Sequence, residues 1–134
     1  MYLLDTNVIS EFRKPRPNLA VTAWLRDIPE EQLYICAASL GELQAGVEIT
    51  RKQDEAKAIE IEAWIDEIAA KHQVLALDAP VCRAWGKLIR GRSNTLLEDA
   101  LIAACAMVHG LTVATRNVKD FDALGARTIN PFLP

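Results

Sequence analysis

Short apolar runs alternate along the chain with longer segments in which apolar residues recur every three or four positions. The short runs predict strands at 2–4, 33–37, 74–77, 111–114 and 127–129. The periodic segments predict helices over 8–13, 20–26, 40–50, 54–71, 99–109 and from 81 to near Gly91. Strands that alternate with helices in this way are typical of an α/β domain with a mostly parallel sheet covered by helices.

Four acidic residues lie where strands end or helices begin. Asp5 directly follows the first strand, and Glu42 lies in the first turn of a predicted helix. Asp99 opens a very apolar helix, and Asp120 comes shortly after the fourth strand. The carboxyl ends of parallel strands share one edge, which is where ligands bind in open α/β sheets. Carboxylates gathered there repel one another, so the pattern predicts a site for a hard divalent cation.

Each acid also has a purely local explanation. Asp5 suits the N-cap position of the helix that follows it. Ser39 and Glu42 have the spacing of a capping box, with Ser39 as the N-cap residue and Glu42 at the third helical position. Asp99 is favoured by the helix dipole, and Asp120 is an ordinary turn residue. Taken one at a time these explanations stay open, but they do not jointly predict four acids along one edge.

Composition and charge indicate one soluble globular domain over residues 1–134. The 134 residues are 51% hydrophobic and 25% charged, with a net charge of −3. This charge argues against a broad basic surface for duplex nucleic acid, but it leaves room for a small nucleic-acid site. The chain begins without the basic segment of a signal peptide, and Glu98 and Asp99 interrupt its longest apolar stretch. We therefore expect a cytoplasmic protein that does not span a membrane.

Three cysteines bear on metal chemistry and redox state. Cys36, Cys82 and Cys105 are widely spaced, each in an apolar context, with no CxxC pair and no nearby histidine at ligand spacing. This spacing argues against a zinc site. We expect the three cysteines to be buried, reduced thiols.

The acids lie within four longer sequence blocks, which are Leu3–Glu11, Ser39–Gly46, Asp99–Ala106 and Thr115–Phe121. In this order and spacing, the blocks resemble the PIN-domain ribonucleases, specifically the VapC-type toxins of bacterial toxin–antitoxin pairs. The resemblance runs from the first residue almost to the last. It implies a single PIN domain with a three-layer α/β/α sandwich, and metal-dependent endonuclease activity on RNA. It also implies that Asp5, Glu42 and Asp99 are the core acids.

The fourth acid has two candidates. Some members of the family carry Asp at the position of Asn117, and others use the acid three residues later. Because Asn117 supplies no charge, we assign the fourth role to Asp120, with Asp122 as the competing candidate. If this segment forms a helical turn, Asn117 and Asp120 project to the same side. Phe121 would then anchor the loop and turn Asp122 toward solvent.

Phosphodiester cleavage with Mg²⁺ or Mn²⁺ fits these residue types. Such an ion prefers oxygen ligands and binds through one or two carboxylates while keeping several waters. We predict Asp5 and Asp99 as direct ligands, with Glu42 and Asp120 acting through water. The small polar and basic residues at the strand ends are predicted to orient water or substrate, and these are Thr6, Asn7, Thr115, Arg116 and Asn117. The alternative for Thr6 and Asn7 is a place in the first helical turn, and for Arg116 a solvated loop position.

The resemblance also implies two protein partners, a small antitoxin and a second copy of the chain. A tail of the antitoxin would lie across apolar side chains of the helices at 8–13 and 40–50. These side chains are Ile9, Phe12, Leu40, Leu43 and Val47. The alternative is that most of them belong to the core of a small domain.

Three other classes of protein share parts of the pattern. A phosphotransferase of the haloacid dehalogenase type needs a second Asp two residues after the first, where this chain has Asn7. A response-regulator receiver needs an acidic pair near the first strand and a late Lys, but the late strand here ends in Thr115 and Arg116. A catalytically weak or silent PIN-fold module that binds RNA or a partner protein is the alternative function. Such a module would be expected to have lost acids that this chain retains.

Overall fold

The computed structural model describes residues 1–92 and 96–134, in which five parallel strands form one sheet of order β3-β2-β1-β4-β5. The strands are β1 (Tyr2–Leu4), β2 (Leu33–Cys36), β3 (Gln73–Leu75), β4 (Thr112–Ala114) and β5 (Thr128–Ile129). The helices are α1 (Thr6–Ile9), α2 (Leu19–Arg26), α3 (Ala37–Arg51), α4 (Glu55–Lys71), α5 (Ala79–Leu88), α6 (Leu97–His109) and α7 (Val118–Ala123), with 3-10 helices at Ser10–Arg13 and Glu30–Gln32. The strands and helices predicted from the hydrophobic pattern are present, with bounds that shift by a few residues.

Helices cover both faces of the sheet, which confirms the predicted three-layer α/β/α sandwich. Consecutive strand residues point to opposite faces, and here both faces are buried. In β1, Leu3 packs into the core formed with α5, α6 and α7, whereas Leu4 packs into the core formed with α1, α2 and α4. In β4, Val113 and Ala114 divide between the two cores in the same way. Burial on both faces explains why the strands appear in the sequence as unbroken apolar runs.

The helix that carries Glu42 begins earlier than the sequence predicted. β2 runs directly into α3, and the N-cap residue Cys36 makes no capping side-chain hydrogen bond within the described part of the chain. Ser39 is therefore the third residue of the helix, and Glu42 lies in its second turn. The predicted capping box of Ser39 and Glu42 is wrong, because no loop separates the strand from the helix.

The most apolar helix, α6, forms the centre of one layer. Six of the seven residues from Ala100 to Ala106 are buried, and the helix is capped by Gly110 with a left-handed φ of 68°. Because the helix begins at Leu97, Asp99 is its third residue rather than its first. Neither α6 nor any other helix within residues 1–92 and 96–134 is long and apolar enough to cross a membrane.

Two of the three cysteines are buried as predicted, and the third is not. Cys36 at the end of β2 and Cys105 on α6 lie in the same core, whereas Cys82 is exposed. On α5 it is Val81 that packs into the core, so the next residue along the helix turns outward. The prediction of a buried thiol at Cys82 is therefore wrong.

The strand order opens a crevice between the ends of β1 and β4. The chain places β2 and β3 on one side of β1 and then adds β4 and β5 on the other side. Where the strand order reverses, the connections that leave the two strands diverge, and ligands bind in the crevice between them. Asp5 and Thr115 are the residues directly after these two strands. The topology therefore brings the first and the last of the four sequence blocks to one point on the sheet edge.

Candidate active site

Asp5 is the buried acid at the centre of this edge, with only 3% of its surface exposed. Its backbone N–H donates to the carbonyl oxygen of Ala114 at 2.9 Å, which extends the pairing of β1 with β4. Its carboxylate oxygen Oδ1 accepts the N–H of Thr6 at 2.8 Å, so Asp5 is the N-cap residue of α1. The cap occupies Oδ1 alone, and Oδ2 is left for other partners.

Two neighbouring side chains donate to Oδ2 of Asp5. The Thr115 hydroxyl does so at 2.7 Å and the Asn7 amide at 3.3 Å. Thr115 Oγ1 also accepts the N–H of Asn117 at 2.9 Å, and Asn7 Oδ1 accepts the N–H of Arg116 at 3.3 Å. The residues that follow β1 and β4 therefore form one hydrogen-bonded network around the carboxylate. Since Thr115 is fully buried, its contribution to the site is to orient Asp5.

The same network sets the charge state of Asp5. Burial raises the pKa of its carboxyl, and the hydrogen bonds from Thr115 and Thr6 lower the pKa part of the way back. These donors favour the ionised form of an acid that burial alone would tend to protonate. An ionised, oriented carboxylate is the form that binds a metal ion.

Glu42 and Asp99 share an open pocket with Asp5. The pocket has a volume of about 290 Å³ and is lined by Asp5, Thr6, Asn7, Ser10, Glu42, Asp99 and Asn117. Glu42 comes from α3 and Asp99 from the first turn of α6, and both are half-buried. Three of the four acids singled out in the sequence are therefore brought together.

Burial and the charges of nearby acids raise the pKa values of Glu42 and Asp99. Burial, followed by the charges of Glu98 and Asp5, raises the pKa of Glu42 from 4.5 to about 7. Burial, followed by the charges of Asp5, Asp120 and Glu98, raises the pKa of Asp99 from 3.8 to about 6. A bound cation would relieve this repulsion, and so the electrostatics of the pocket favour one.

Asp120 lies at the rim of the pocket rather than in its lining. It is exposed on α7, and its charge is among those that raise the pKa of Asp99. Asp122 is also exposed, but its Oδ1 accepts the hydroxyl of Thr128 at 2.9 Å. The segment forms the expected helical turn, and Asn117 at its start lines the pocket. These positions favour Asp120 over Asp122, and the assignment of the fourth acid stays a prediction.

Two polar residues of the site escaped the sequence pattern. Ser10 lines the pocket, four residues after Thr6 and on the same side of the first helical turns. Glu98 precedes Asp99 and raises the pKa of both Glu42 and Asp99. The spacing of four residues from Thr6 could have identified Ser10, and the pair of acids at the start of a helix could have identified Glu98.

Most of the apolar side chains considered for antitoxin binding are core residues. Ile9 and Val47 are fully buried, and Leu40 and Leu43 pack against the buried clusters. Phe12 also packs against this core, and in addition it lines an open cavity of about 440 Å³ beside α2 and α4. The apolar residues that share this cavity are Leu25, Ile28, Leu33, Trp64 and Ile68.

The donor set of the pocket suits a hard divalent cation. Its side chains offer only carboxylate, hydroxyl and amide donors, which are the chemistry that Mg²⁺ and Mn²⁺ prefer. The buried Thr6 Oγ1 lies close enough to Glu42 to lower the pKa of that carboxyl, yet it has no hydrogen bond of acceptable geometry to any described residue. Within residues 1–92 and 96–134, no three His, Cys, Asp or Glu side chains form a ready-made ligand cluster. The fit therefore rests on donor chemistry and charge.

Comparison with known proteins shows the family to which the chain belongs. The PIN-domain family model matches residues 2–126, and the chain belongs to that family. Toxin FitB of Neisseria gonorrhoeae is 36% identical, with 98% of this chain and 99% of FitB aligned. VapC ribonuclease Y4jK of Sinorhizobium fredii is 35% identical over 100% of this chain and 99% of its own. The crystal structure of FitAcB from Neisseria gonorrhoeae matches with a TM-score of 0.86 and 34% identity, covering both chains completely.

The Thr115–Asp5 hydrogen bond can be tested by an isosteric change. Thr115→Val removes the hydroxyl and keeps the shape, so the pKa of Asp5 should rise and Mn²⁺ affinity should fall about 10- to 100-fold. Thr115→Ser keeps the hydroxyl and should bind Mn²⁺ nearly as the parent does. Calorimetric titration with Mn²⁺ measures both variants. An unchanged Mn²⁺ affinity in Thr115→Val would show that the hydroxyl does not tune the site.

The raised pKa values of Glu42 and Asp99 predict how stability depends on pH. The folded protein binds these two protons more tightly than the unfolded chain does. Their contribution to stability is therefore complete below pH 3.8 for Asp99 and below pH 4.5 for Glu42. It is lost as the pH rises through about 6 and about 7, respectively. Without metal, we expect the melting temperature of Asp99→Asn to equal or exceed that of the parent at pH 8, and Mn²⁺ to raise it less.

The matched control for this prediction is Asp66→Asn, which changes an exposed acid on α4. It should alter neither the pH dependence nor the stabilisation by Mn²⁺. If metal-free Asp99→Asn instead melts well below the parent, Asp99 is a structural residue of the first turn of α6. Glu42→Gln should behave like Asp99→Asn, because the structure contains no capping box for it to break.

Proposed function

We propose that this protein is a metal-dependent endoribonuclease and the toxin of a bacterial toxin–antitoxin pair. The observation that carries the proposal is the pocket in which Asp5, Glu42 and Asp99 meet at the reversal of strand order. Membership of the PIN-domain family and similarity to a VapC ribonuclease and to toxin FitB support it. We propose further that residues 1–134 form a single PIN domain.

The ion proposed for this pocket is Mg²⁺ or Mn²⁺. Asp5 and Asp99 would hold it directly, and Glu42 and Asp120 would be linked to it through water. When bound, such an ion supplies positive charge to the phosphate and lowers the pKa of water. Burial and neighbouring charges raise the pKa of Glu42 to about 7, which suits it to accept a proton from the attacking water.

The polar residues at the ends of β1 and β4 are proposed to orient this chemistry. Thr115 and Asn7 hold Asp5 through their hydrogen bonds to Oδ2. Thr6 and Asn117 line the pocket, where they would contact water or phosphate. Arg116 lies between Thr115 and Asn117 and is exposed, so it is proposed to contact the RNA backbone.

An antitoxin is the proposed protein partner. Chains with this fold occur in toxin–antitoxin complexes, among them one from Klebsiella pneumoniae. The open cavity around Phe12 and Trp64 is the surface that an antitoxin segment would cover, with six apolar lining residues and a polar side formed by Glu30, Glu67, Lys71 and His72. A homodimer is also proposed, because the family resemblance implies one. A cytoplasmic location is proposed because RNA and a newly made antitoxin are found there.

The first test of the proposal is RNA cleavage by the purified protein. The parent should cut single-stranded RNA with Mg²⁺ or Mn²⁺ and stop in EDTA. Asp5→Asn keeps the volume of the side chain and loses its charge, so its cleavage rate should fall at least about 100-fold. Asp66→Asn serves as the control for an acid outside the pocket. Equal cleavage by the parent and Asp5→Asn would reject the mechanism, and binding of RNA without cleavage by the parent would favour the silent module.

The fourth acid can be assigned by comparing two neighbouring substitutions. Asp120→Asn should lower cleavage and Mn²⁺ affinity about 10- to 100-fold, because a group that acts through water tunes a metal site without being essential. Asp122→Asn should leave both within about twofold of the parent, since its carboxylate is engaged by Thr128. Cleavage rates and Mn²⁺ titrations run side by side decide between them. The reverse ranking would move the fourth role to Asp122.

A further inference from the structure

Arg116 is held in a defined position at the edge of the acidic pocket. Its Cζ lies 3.9 Å from the centre of the Phe132 ring, which is close contact between a guanidinium and an aromatic face. Its backbone N–H donates to Asn7 Oδ1, and its neighbours in sequence are the Asp5 partner Thr115 and the pocket residue Asn117. The side chain is exposed but is not free to sample all directions.

Phe132 is itself anchored to the sheet that builds the site. The ring is half-buried and packs against the core on the α1, α2 and α4 face. Its N–H donates to Asn130 Oδ1 at 3.0 Å, and Pro131 before it is buried. The same segment begins at β5, where Ile129 accepts the N–H of Thr115 at 2.9 Å. The platform under Arg116 is therefore tied to the end of β4.

With Cζ 3.9 Å from the ring centre, an edge-on guanidinium would push a nitrogen into the ring, so the distance fits a guanidinium that stacks by its face and leaves its edge available. The five N–H donors of an Arg side chain lie in the guanidinium plane and match the oxygens of a phosphate in pairs. Among the residues that the structure describes, no carboxylate forms an ion pair with Arg116. A fixed cation with unused donors beside a pocket of acids is suited to an anion that must approach those acids.

We infer that Arg116, held flat on Phe132, binds a backbone phosphate of the RNA next to the phosphate that is cleaved. The inference rests on the proposed function, in which Arg116 contacts the RNA backbone, and adds to it which phosphate Arg116 binds and the aromatic ring that holds the guanidinium in place. Phe132 is a positioning residue, because it acts through Arg116. In a chain with a net charge of −3, this contact offsets the repulsion between the pocket acids and the RNA strand.

The test measures Mn²⁺-dependent cleavage of a fluorescein-labelled single-stranded RNA of mixed sequence at several KCl concentrations. For Arg116→Ala, we expect KM to rise about 5- to 10-fold, with kcat changed less than about twofold. Loss of one phosphate contact should also reduce the slope of log kcat/KM against log salt by about 0.7. The matched control is Arg13→Ala, which removes another exposed Arg, 5.8 Å from the ring of Trp64, that is not part of the pocket lining. It should change neither KM nor the slope.

Substitutions at Phe132 test the platform itself. Phe132→Leu should raise KM about 2- to 5-fold. Its salt slope should fall from the value of the parent toward that of Arg116→Ala. Phe132→Tyr keeps an aromatic ring and should have the KM and salt slope of the parent. The double variant Phe132→Leu/Arg116→Ala should have a KM no higher than that of Arg116→Ala alone. If Phe132→Leu does not fold, Arg116→Lys replaces it, since Lys keeps the charge but lacks the planar fork. That variant should keep the salt slope and still raise KM.

Several results would overturn the inference. An unchanged KM and salt slope in Arg116→Ala would remove Arg116 from the substrate site while leaving the nuclease function standing. A raised KM with an unchanged salt slope in Arg116→Ala would indicate that Arg116 stacks on an RNA base instead of contacting a phosphate. Phe132→Leu equal to the parent, or Arg116→Lys equal to the parent, would overturn the role of the stacked guanidinium.

A binding measurement separates this inference from the proposed nuclease function. Fluorescence anisotropy of the same RNA, with Asp99→Asn as the background, needs no cleavage. If the parent does not cleave RNA but Arg116→Ala weakens binding with a reduced salt slope, the nuclease function fails and the phosphate contact stands. If the parent neither cleaves nor binds the RNA, both are overturned.

Discussion

The hydrogen bond from the Thr115 hydroxyl to Asp5 Oδ2, 2.7 Å long, is the interaction on which the site depends. It joins the residues that follow β1 and β4, at the place where the strand order reverses. A carboxyl as buried as that of Asp5 would tend to take up a proton if it lacked donors. The donors from Thr6, Asn7 and Thr115 keep it oriented and favour its charge. The remaining acids are arranged around this fixed carboxylate.

The other two acids of the pocket are held at the expense of stability. Burial and repulsion by nearby acids raise the pKa of Glu42 to about 7 and of Asp99 to about 6, so at neutral pH the metal-free fold carries unfavourable charge. The helices that carry them are fixed by contacts elsewhere. α6 is held by its buried apolar residues, and α3 by its packing on α4 around Val47 and Ile65. A strained acidic pocket of this kind is stabilised when a cation binds.

The layers of the fold and three acids of the pocket could be predicted from the sequence. Unbroken apolar runs and helical periodicity identify the elements, and the carboxyl ends of parallel strands must meet at one edge. Other features depend on distances that a linear pattern does not contain. Ser39 and Glu42 have capping-box spacing, yet α3 continues directly from β2 and begins at Ala37. Glu98 acts through its charge on neighbouring acids, and the contact between Arg116 and Phe132 joins residues far apart in sequence.

The most direct test of the metal-dependent site is a crystal structure of the protein grown with Mn²⁺, in which anomalous scattering locates the ion. We expect an anomalous peak within coordination distance of the Asp5 carboxylate, with Asp99 as the second protein ligand. Occupation of the same position in crystals of Asp66→Asn, and its loss in crystals of Asp5→Asn, would tie the ion to this carboxylate. An empty pocket at saturating Mn²⁺, or an ion whose ligands exclude Asp5, would contradict the assignment of this pocket as the catalytic metal site.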